Sequence, residues 1–459
     1  MLCVLSTIYF INYFLSSKFV NFLQINTRKQ IMILEFRVKN FRSIRDEQIF
    51  SMVSEQKVSE LPKNVFKVDD KTELLKTAII YGRNGSGKSN LLLAIKALNF
   101  LVDSSSDFKI DQTIPPYEPF KLNKKCKIAP IELSIDFITN KKTRYIYSIS
   151  FDKKIIHTEK LYFYPKSQPA KLFERSNGDI TYGEYFTGKK KQVEELLLDN
   201  QLYLSRAGMS KLEVLHDAYL FLTENIFPST IHDSDYDKVL INVFTNKMRD
   251  DDIPNFKENI SKLLRVADTG ILSLDAKESD LSEDDLPEDM SDEQKKKIVE
   301  RFKYQIKTKH GFFENGNESG EVEFELHDES TGTIKLLAVG GLVLDALNDG
   351  STLIIDELDK SLHPKLTELI IKIFHNEKTN PKNAQLIFAT HDISLLDNSI
   401  FRRDQVWIAE KEYEGNSVFY SLSDIKGVRK DAPFEKWYMS GRFRGIPLIN
   451  EYELDLKFD

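Results

Sequence analysis

Eight consecutive residues, Gly82-Arg83-Asn84-Gly85-Ser86-Gly87-Lys88-Ser89, carry three glycines, a lysine and two serines in the spacing GxxxxGKS. Glycines so placed let successive backbone N–H groups turn inward, an arrangement that cradles phosphate oxygens. An apolar run, Ala78 to Tyr81, precedes the segment and a Leu- and Ala-rich run follows it. The loop therefore joins a strand to a helix whose positive N-terminal end faces the same oxygens. In that frame Lys88 reaches the outer phosphates of ATP and the Ser89 hydroxyl ligates Mg²⁺.

Further along, Leu353-Ile354-Ile355 ends in the adjacent carboxylates of Asp356 and Glu357. Asp356 is placed to hold the metal and Glu357 to orient and polarise an attacking water. A third apolar run ends Phe388-Ala389-Thr390-His391-Asp392. His391 there could donate to a γ-phosphate oxygen and register its cleavage. The fourth element is Glu329-Ser330-Thr331-Gly332-Thr333, a small, donor-rich loop opening a helix, and so a second phosphate-facing N-terminus. Ser330, Gly332 and Thr333 are its candidate contacts.

Glycine loop, long insertion, small-residue loop, Asp-Glu and His follow one another in the order seen in ABC-type ATPases. The segments KNFRSIRD, GRNGSGKSN, ESTGT, LIIDELDKSLHP and FATHD together resemble the RecF/OLD-like branch of that class within the AAA superfamily. The tail YMSGRFRGIPLI and the middle LYFYPKSQPAKLFER are similar to the RloA/AbiL-type ATPases of bacterial anti-phage systems. The resemblance runs from Met32 to about Leu448. It implies an α/β head of the ABC-type P-loop class, with a mixed or antiparallel β subdomain and a helical lid between the glycine loop and the signature loop. It implies ATP and Mg²⁺ as ligands, Glu357 and His391 as catalytic groups, and Ser89 and Asp356 at the metal. The signature loop would act in trans, within a homodimer or a higher even-numbered oligomer. Asp359 to His363 matches the segment that crosses such a dimer interface, and Arg42 a position that approaches nucleotide.

Two departures bear on function. The signature begins Glu-Ser, and the form LSGGQ is missing, which argues against a membrane-transporter partner. OLD-type relatives carry a nuclease domain after the ATPase, yet only 68 residues follow His391. A separate, nuclease-like effector protein is therefore the expected partner, in an antiviral sensor or regulator. The competing expectation is a RecF-like DNA-binding repair ATPase. Lysine groups at Lys121 to Lys127, Lys141 to Arg144 and Lys189 to Lys191 would line its groove.

The elements that must position these residues divide the chain. Residues 1–31 open with seventeen uncharged residues, but Lys18 interrupts the ~20 apolar residues a spanning helix needs. They read as an appended leader outside the native fold. From Met32, Leu34, Phe36 and Val38 alternate with charged residues, a half-buried strand. The expected parts are an N-terminal ATPase portion, residues 32–206, and a helical insertion, residues 207–317. A C-terminal ATPase portion, residues 318–459, completes the chain. Within the insertion, residues 275–293 hold ten acids and one lysine, the pattern of a solvated loop.

Composition limits the rest. With 459 residues, 31 Phe and 18 Tyr, the chain has ample material for a large core. The net charge of −7 disfavours a generic nucleic-acid coat. That acidity sits in residues 275–293, however, so the remainder is slightly basic. Two distant cysteines, Cys3 and Cys126, without a CxxC pair, fit a reducing, cytoplasmic compartment and exclude a thiolate zinc site.

Overall fold

The structure, a computed structural model, describes residues 32–447 except 189, 209–212, 225, 231–233, 251–252, 254 and 288–289. The leader 1–31 lies outside the described residues, as does the tail from Leu448 onward.

The chain opens with β1 (Met32–Lys39) and β2 (Gln48–Ser51), then a small ribbon of β3 (Val65–Lys67) and β4 (Glu73–Leu75). β5 (Thr77–Tyr81) runs through the glycine loop into α1 (Lys88–Ser104). Five strands follow: β6 (Ile131–Ile138), β7 (Arg144–Phe151), β8 (Ile156–Phe163), β9 (Ala170–Ser176) and β10 (Asp179–Tyr182). After them come α2 (Glu213–Glu224), β11 (Ile226–Thr230), α3 (Ser234–Asp250) and α4 (Phe256–Val266). β12 (Ile271–Glu278), β13 (Tyr304–Glu314) and β14 (Asn317–Glu325) lead to α5 (Thr331–Asp349). The last core elements are β15 (Thr352–Asp356), α6 (Pro364–His375), β16 (Gln385–Ala389), and the hairpin of β17 (Val406–Lys411) and β18 (Ser417–Ser421).

Two sheets carry the core. The central one has the order β11-β15-β16-β5-β17-β18, parallel from β11 through β17, with β18 antiparallel at its edge. The other is antiparallel, in the order β10-β9-β8-β7-β6-β1-β2. β5, β15 and β16 are buried along their whole length and mostly apolar because both of their faces are covered. Ala78, Ile80, Ile354 and Ile387 pack with α1, α2 and the antiparallel sheet. Ile79, Tyr81, Leu353, Ile355, Leu386 and Phe388 pack on the opposite face with α3, α4, α5 and α6. The expected α/β head with its antiparallel subdomain is the observed architecture. Helix α5 is long and apolar enough to cross a membrane by composition, but most of it is buried in this second layer.

The segment expected to be a helical insertion is more mixed than its periodicity indicates. It sends β11 into the central sheet beside β15, and it builds a three-stranded antiparallel sheet in the order β12-β13-β14. The acidic stretch is likewise only partly loop. Asp275 to Glu278 complete β12, because Asp275 pairs with Lys257 and Lys309, and Lys277 with Glu323 across the sheet. Asp292 and Glu293 occupy the first turn of the helix Asp292–Arg301, behind its cap Ser291, where the helix dipole favours acids.

One buried side chain joins the two large sheets. Gln385, at the start of β16, accepts from the Ile33 backbone N–H at 2.8 Å and donates to the carbonyls of Ile33 and Leu75, each at 3.2 Å. Replacing it with an isosteric apolar residue leaves buried backbone groups without partners. Gln385→Leu should therefore lower the unfolding free energy by about 2–4 kcal/mol in urea titration. A change under about 0.5 kcal/mol would show that the joint contributes nothing to stability.

Candidate functional site

The glycine loop is shaped by its backbone. Gly82, Gly85 and Gly87 all have positive φ, and two of them have no room for a side chain. A Cβ on Gly82 would meet Ala409 O and lie 2.6 Å from Ser86 Oγ, and one on Gly87 would meet Ser417 Oγ and lie 2.7 Å from Ser43 Oγ. A hydroxyl chain fixes the loop from outside. Ser417 Oγ, on β18, donates to Ser86 O at 2.6 Å and lies 2.7 Å from Ser43 Oγ, within hydrogen-bond distance. Asn90 Nδ2, one turn into α1, donates to Ser43 Oγ at 2.7 Å. Gly87 caps α1 without a side-chain bond, so the first N–H groups of the helix point toward the loop's interior.

Lys88 is 5% exposed. Its Nζ donates to Gly82 O at 2.7 Å and to Arg83 O at 3.4 Å. Burial pushes its pKa from 10.5 down to about 8, against the pull of Asp356, Glu357 and Asp359. Asn84 and Gly85 are exposed, and Arg83 and Ser89 are half-buried.

Three neighbouring parallel strands bring the other groups to this point. β16 lies between β5 and β15, so the glycine loop, His391 and the Asp356-Glu357 pair leave the same edge of the sheet. Asp356 is 3% exposed. Glu357 adopts the left-handed region, with φ of 54°, and its Oε2 lies 3.8 Å from Lys360 Nζ. A non-glycine residue held there carries backbone strain, of the kind that collects at functional sites. His391 is exposed, yet partial desolvation holds its pKa below 6.5; Lys88 adds to the effect, and Asp359, Glu357 and Asp356 oppose it. Lys88, Asp356, Glu357, Asp359 and His391 thus share one electrostatic neighbourhood.

Ser330 caps α5, its Oγ accepting from Thr333 N–H at 3.1 Å and lying 2.9 Å from Thr333 Oγ1. The nearest neighbour of a Cβ on Gly332 would be Ser361 O, at 3.4 Å. The signature loop therefore packs against the Asp359–His363 segment of its own chain. Glu329, just before it, has its Oε1 2.7 Å from His310 Nε2 and accepts from Thr308 Oγ1, which ties the loop to β13. Behind the loop, two buried ion pairs lock α5 to α3: Lys335 with Asp237 at 3.0 Å, and Lys247 with Asp345.

The structure thus gathers Gly82 to Ser89, Asp356, Glu357 and His391 at one sheet edge and gives Ser330, Gly332 and Thr333 separate surroundings. Arg42 is held by Glu118, its Nε 2.7 Å from Glu118 Oε2. Sequence reasoning missed Ser417 and Ser43 as supports of the loop, and a serine on an edge strand carries no local signal of that role. It also passed over Asp359 as a member of the charge cluster. The donor set suits a polyphosphate with a hard cation. Ser89 and Asp356 offer oxygen ligands, and the buried atoms Ser86 Oγ and Asp359 Oδ1 have no hydrogen-bond partner among the described residues.

The low pKa of Lys88 gives the site a pH signature. A polyanion needs the ammonium form, so its binding draws a proton onto Lys88 once the pH exceeds about 8. Nucleoside triphosphate affinity should be flat with respect to this group below that pH and fall by up to about tenfold per unit above it. Fluorescence titration of a triphosphate analogue across pH 7 to 9.5 or so measures this. A flat profile in the wild-type protein would remove the Lys88 ammonium from the ligand's contacts.

No curated protein matches the chain. Among solved structures it resembles the SMC head domain from Thermotoga maritima at 12% identity and a TM-score of 0.37, covering 85% of this chain and 98% of that one. An Smc head domain from Pyrococcus furiosus, bound to the C-terminal domain of ScpA, is 14% identical with a TM-score of 0.38, over 90% and 100% of the two chains. The recombination mediator protein RecF is 14% identical with a TM-score of 0.35, over 86% and 100%. Superpositions this loose carry no functional argument. The sequence family is firmer: the AAA_21 model, described as "AAA domain, putative AbiEii toxin, Type IV TA system", matches residues 78–397. That span is well over half of the chain, and the protein belongs to this family of AAA-domain P-loop proteins.

Proposed function

We propose that this protein is a cytoplasmic, dimeric ATPase that uses ATP binding and hydrolysis to control a separate effector protein in bacterial anti-phage defence. The observation that carries the catalytic part is the shared neighbourhood of Lys88, Asp356, Glu357 and His391 at the ends of β5, β15 and β16. The loop N–H groups and the start of α1 cradle the phosphates, and Lys88 exchanges its bonds to Gly82 O and Arg83 O for phosphate oxygens. Ser89 and Asp356 would hold Mg²⁺, which neutralises charge on the transferring phosphate. Glu357 orients a water and takes its proton as the γ-phosphorus–oxygen bond breaks, giving ADP and inorganic phosphate. His391 donates to the γ-phosphate oxygen, and its lowered pKa keeps the ring neutral in the resting state.

The dimer rests on the place of the signature loop. Gly332, between Ser330 and Thr333, lies against Ser361 of its own chain, and all three stand at the start of α5. In a head-to-head dimer they would close on the nucleotide of the second copy. The defence role is supported by the family's description as a putative AbiEii toxin of a Type IV TA system and by the similarity of the sequence to RloA/AbiL-type ATPases.

Two substitutions test the reading. Lys88→Ala should abolish detectable ATP binding and, in cells carrying the intact locus, phage protection. Glu357→Gln should bind ATP normally, slow turnover by about 10²-fold or more, and accumulate an ATP-bound dimer in light scattering. Turnover by Glu357→Gln at the wild-type rate would overturn the role given to Glu357.

A further inference from the structure

The hairpin of β13 and β14 ends in a stretch that serves no visible purpose in the fold. Residues 311–320 expose Phe312 at 46% and Phe313 at 63%. They carry Glu314 and Glu318 with no lysine or arginine. β14 is the outer strand of its sheet among the described residues. Exposed aromatic surface gives nothing to a monomer's stability and favours a covering partner. The hairpin is anchored at the signature loop, because Thr308 and His310 of β13 hold Glu329. From Thr308 to the tip is roughly 20 Å of extended strand.

A second surface has the opposite charge and the same apolar content. The segment 121–128 carries four lysines and no acid, and it exposes Leu122 at 69% and Ile128 at 82%. It belongs to the glycine-loop side of the molecule. Asn40 Nδ2 donates to Cys126 O at 2.9 Å. Leu122 also lies against Gly415, where a Cβ would meet its Cδ1, in the turn that leads into the loop-bracing Ser417.

We propose that in the ATP-bound dimer the hairpin tip of one copy docks on segment 121–128 of the other. Phe312 and Phe313 cover Leu122 and Ile128, and Glu314 and Glu318 face the lysines. The inference rests on the head-to-head reading above: the hairpin is anchored at the signature loop and segment 121–128 lies beside the turn that braces the glycine loop, the two regions that reading sets opposite one another. Two-fold symmetry makes the contact twice. The acidic tip argues against a nucleic-acid occupant there. A second copy of this chain satisfies both surfaces at once, whereas a separate partner accounts for only one.

The test uses the full chain with Glu357→Gln, so that the ATP dimer accumulates. In a Cys3→Ser background, Phe313→Cys should be joined by a short bismaleimide to the native Cys126 of the second copy. Cross-linking should need ATP and disappear with Cys126→Ser. In sedimentation equilibrium, Glu314→Lys with Glu318→Lys should weaken the dimer about tenfold, and so should Lys124→Glu with Lys125→Glu. All four substitutions together should restore affinity to within about threefold of the parent. If the parent dimerises with ATP but every reversal leaves its affinity unchanged and no cross-link forms, the contact is overturned. The hairpin tip then belongs to a separate protein, and the basic segment 121–128 to a different partner. If the parent itself does not dimerise with ATP, the head-to-head reading fails and this contact falls with it.

Discussion

Parallel pairing of β5, β16 and β15 is the constraint on which the site depends. Strands that run the same way must be joined by crossovers that leave the sheet and return. These three strands therefore all leave the sheet at the same edge, at Gly82, at Asp356 and just before His391. Groups more than three hundred residues apart in sequence become neighbours because their strands are. The same rule explains how so long an excursion fits between the glycine loop and Asp356. A crossover has no upper length, and this one contributes its own strand, β11, to the sheet it returns to.

The site is rigid on one side and charged on the other. The chain of Ser417, Ser43 and Asn90 hydroxyl and amide groups holds the loop's outer face, and the two crowded glycines keep its backbone tight. On the inner face, the buried Lys88 ammonium lies within electrostatic reach of the carboxylates of Asp356, Glu357 and Asp359. Burying such groups costs several kcal/mol each unless they are compensated. The lowered pKa of Lys88 is the visible mark of that cost. The buried pairs between α3 and α5 act differently. They hold two apolar helices in one register, since only one alignment satisfies both charges.

What could be read from the sequence follows from sequence distance. The glycine loop, the Asp-Glu strand end and the capped helix at Ser330 are local patterns, each set by residues within a turn or a strand of one another. Residues 275–293 misled because charge density alone cannot show whether acids have partners. Asp275 and Lys277 find theirs on neighbouring strands and helices, so the strand forms. Ser417 and Gln385 were invisible for the same reason, as each acts on backbone far away in the chain. Glu329 departs from the leucine common at the start of such loops. Its partners, Thr308 and His310, explain how a buried acid is accommodated there.

The Gln385 joint also bears on motion. By tying Ile33 and Leu75 to the start of β16, it makes the antiparallel and central sheets a single stiff lever. Changes at the nucleotide end are then poorly absorbed by shear between the sheets. On the opposite face the two ion pairs tie α3 to the signature helix, so those helices form a second stiff unit packed on the same central sheet.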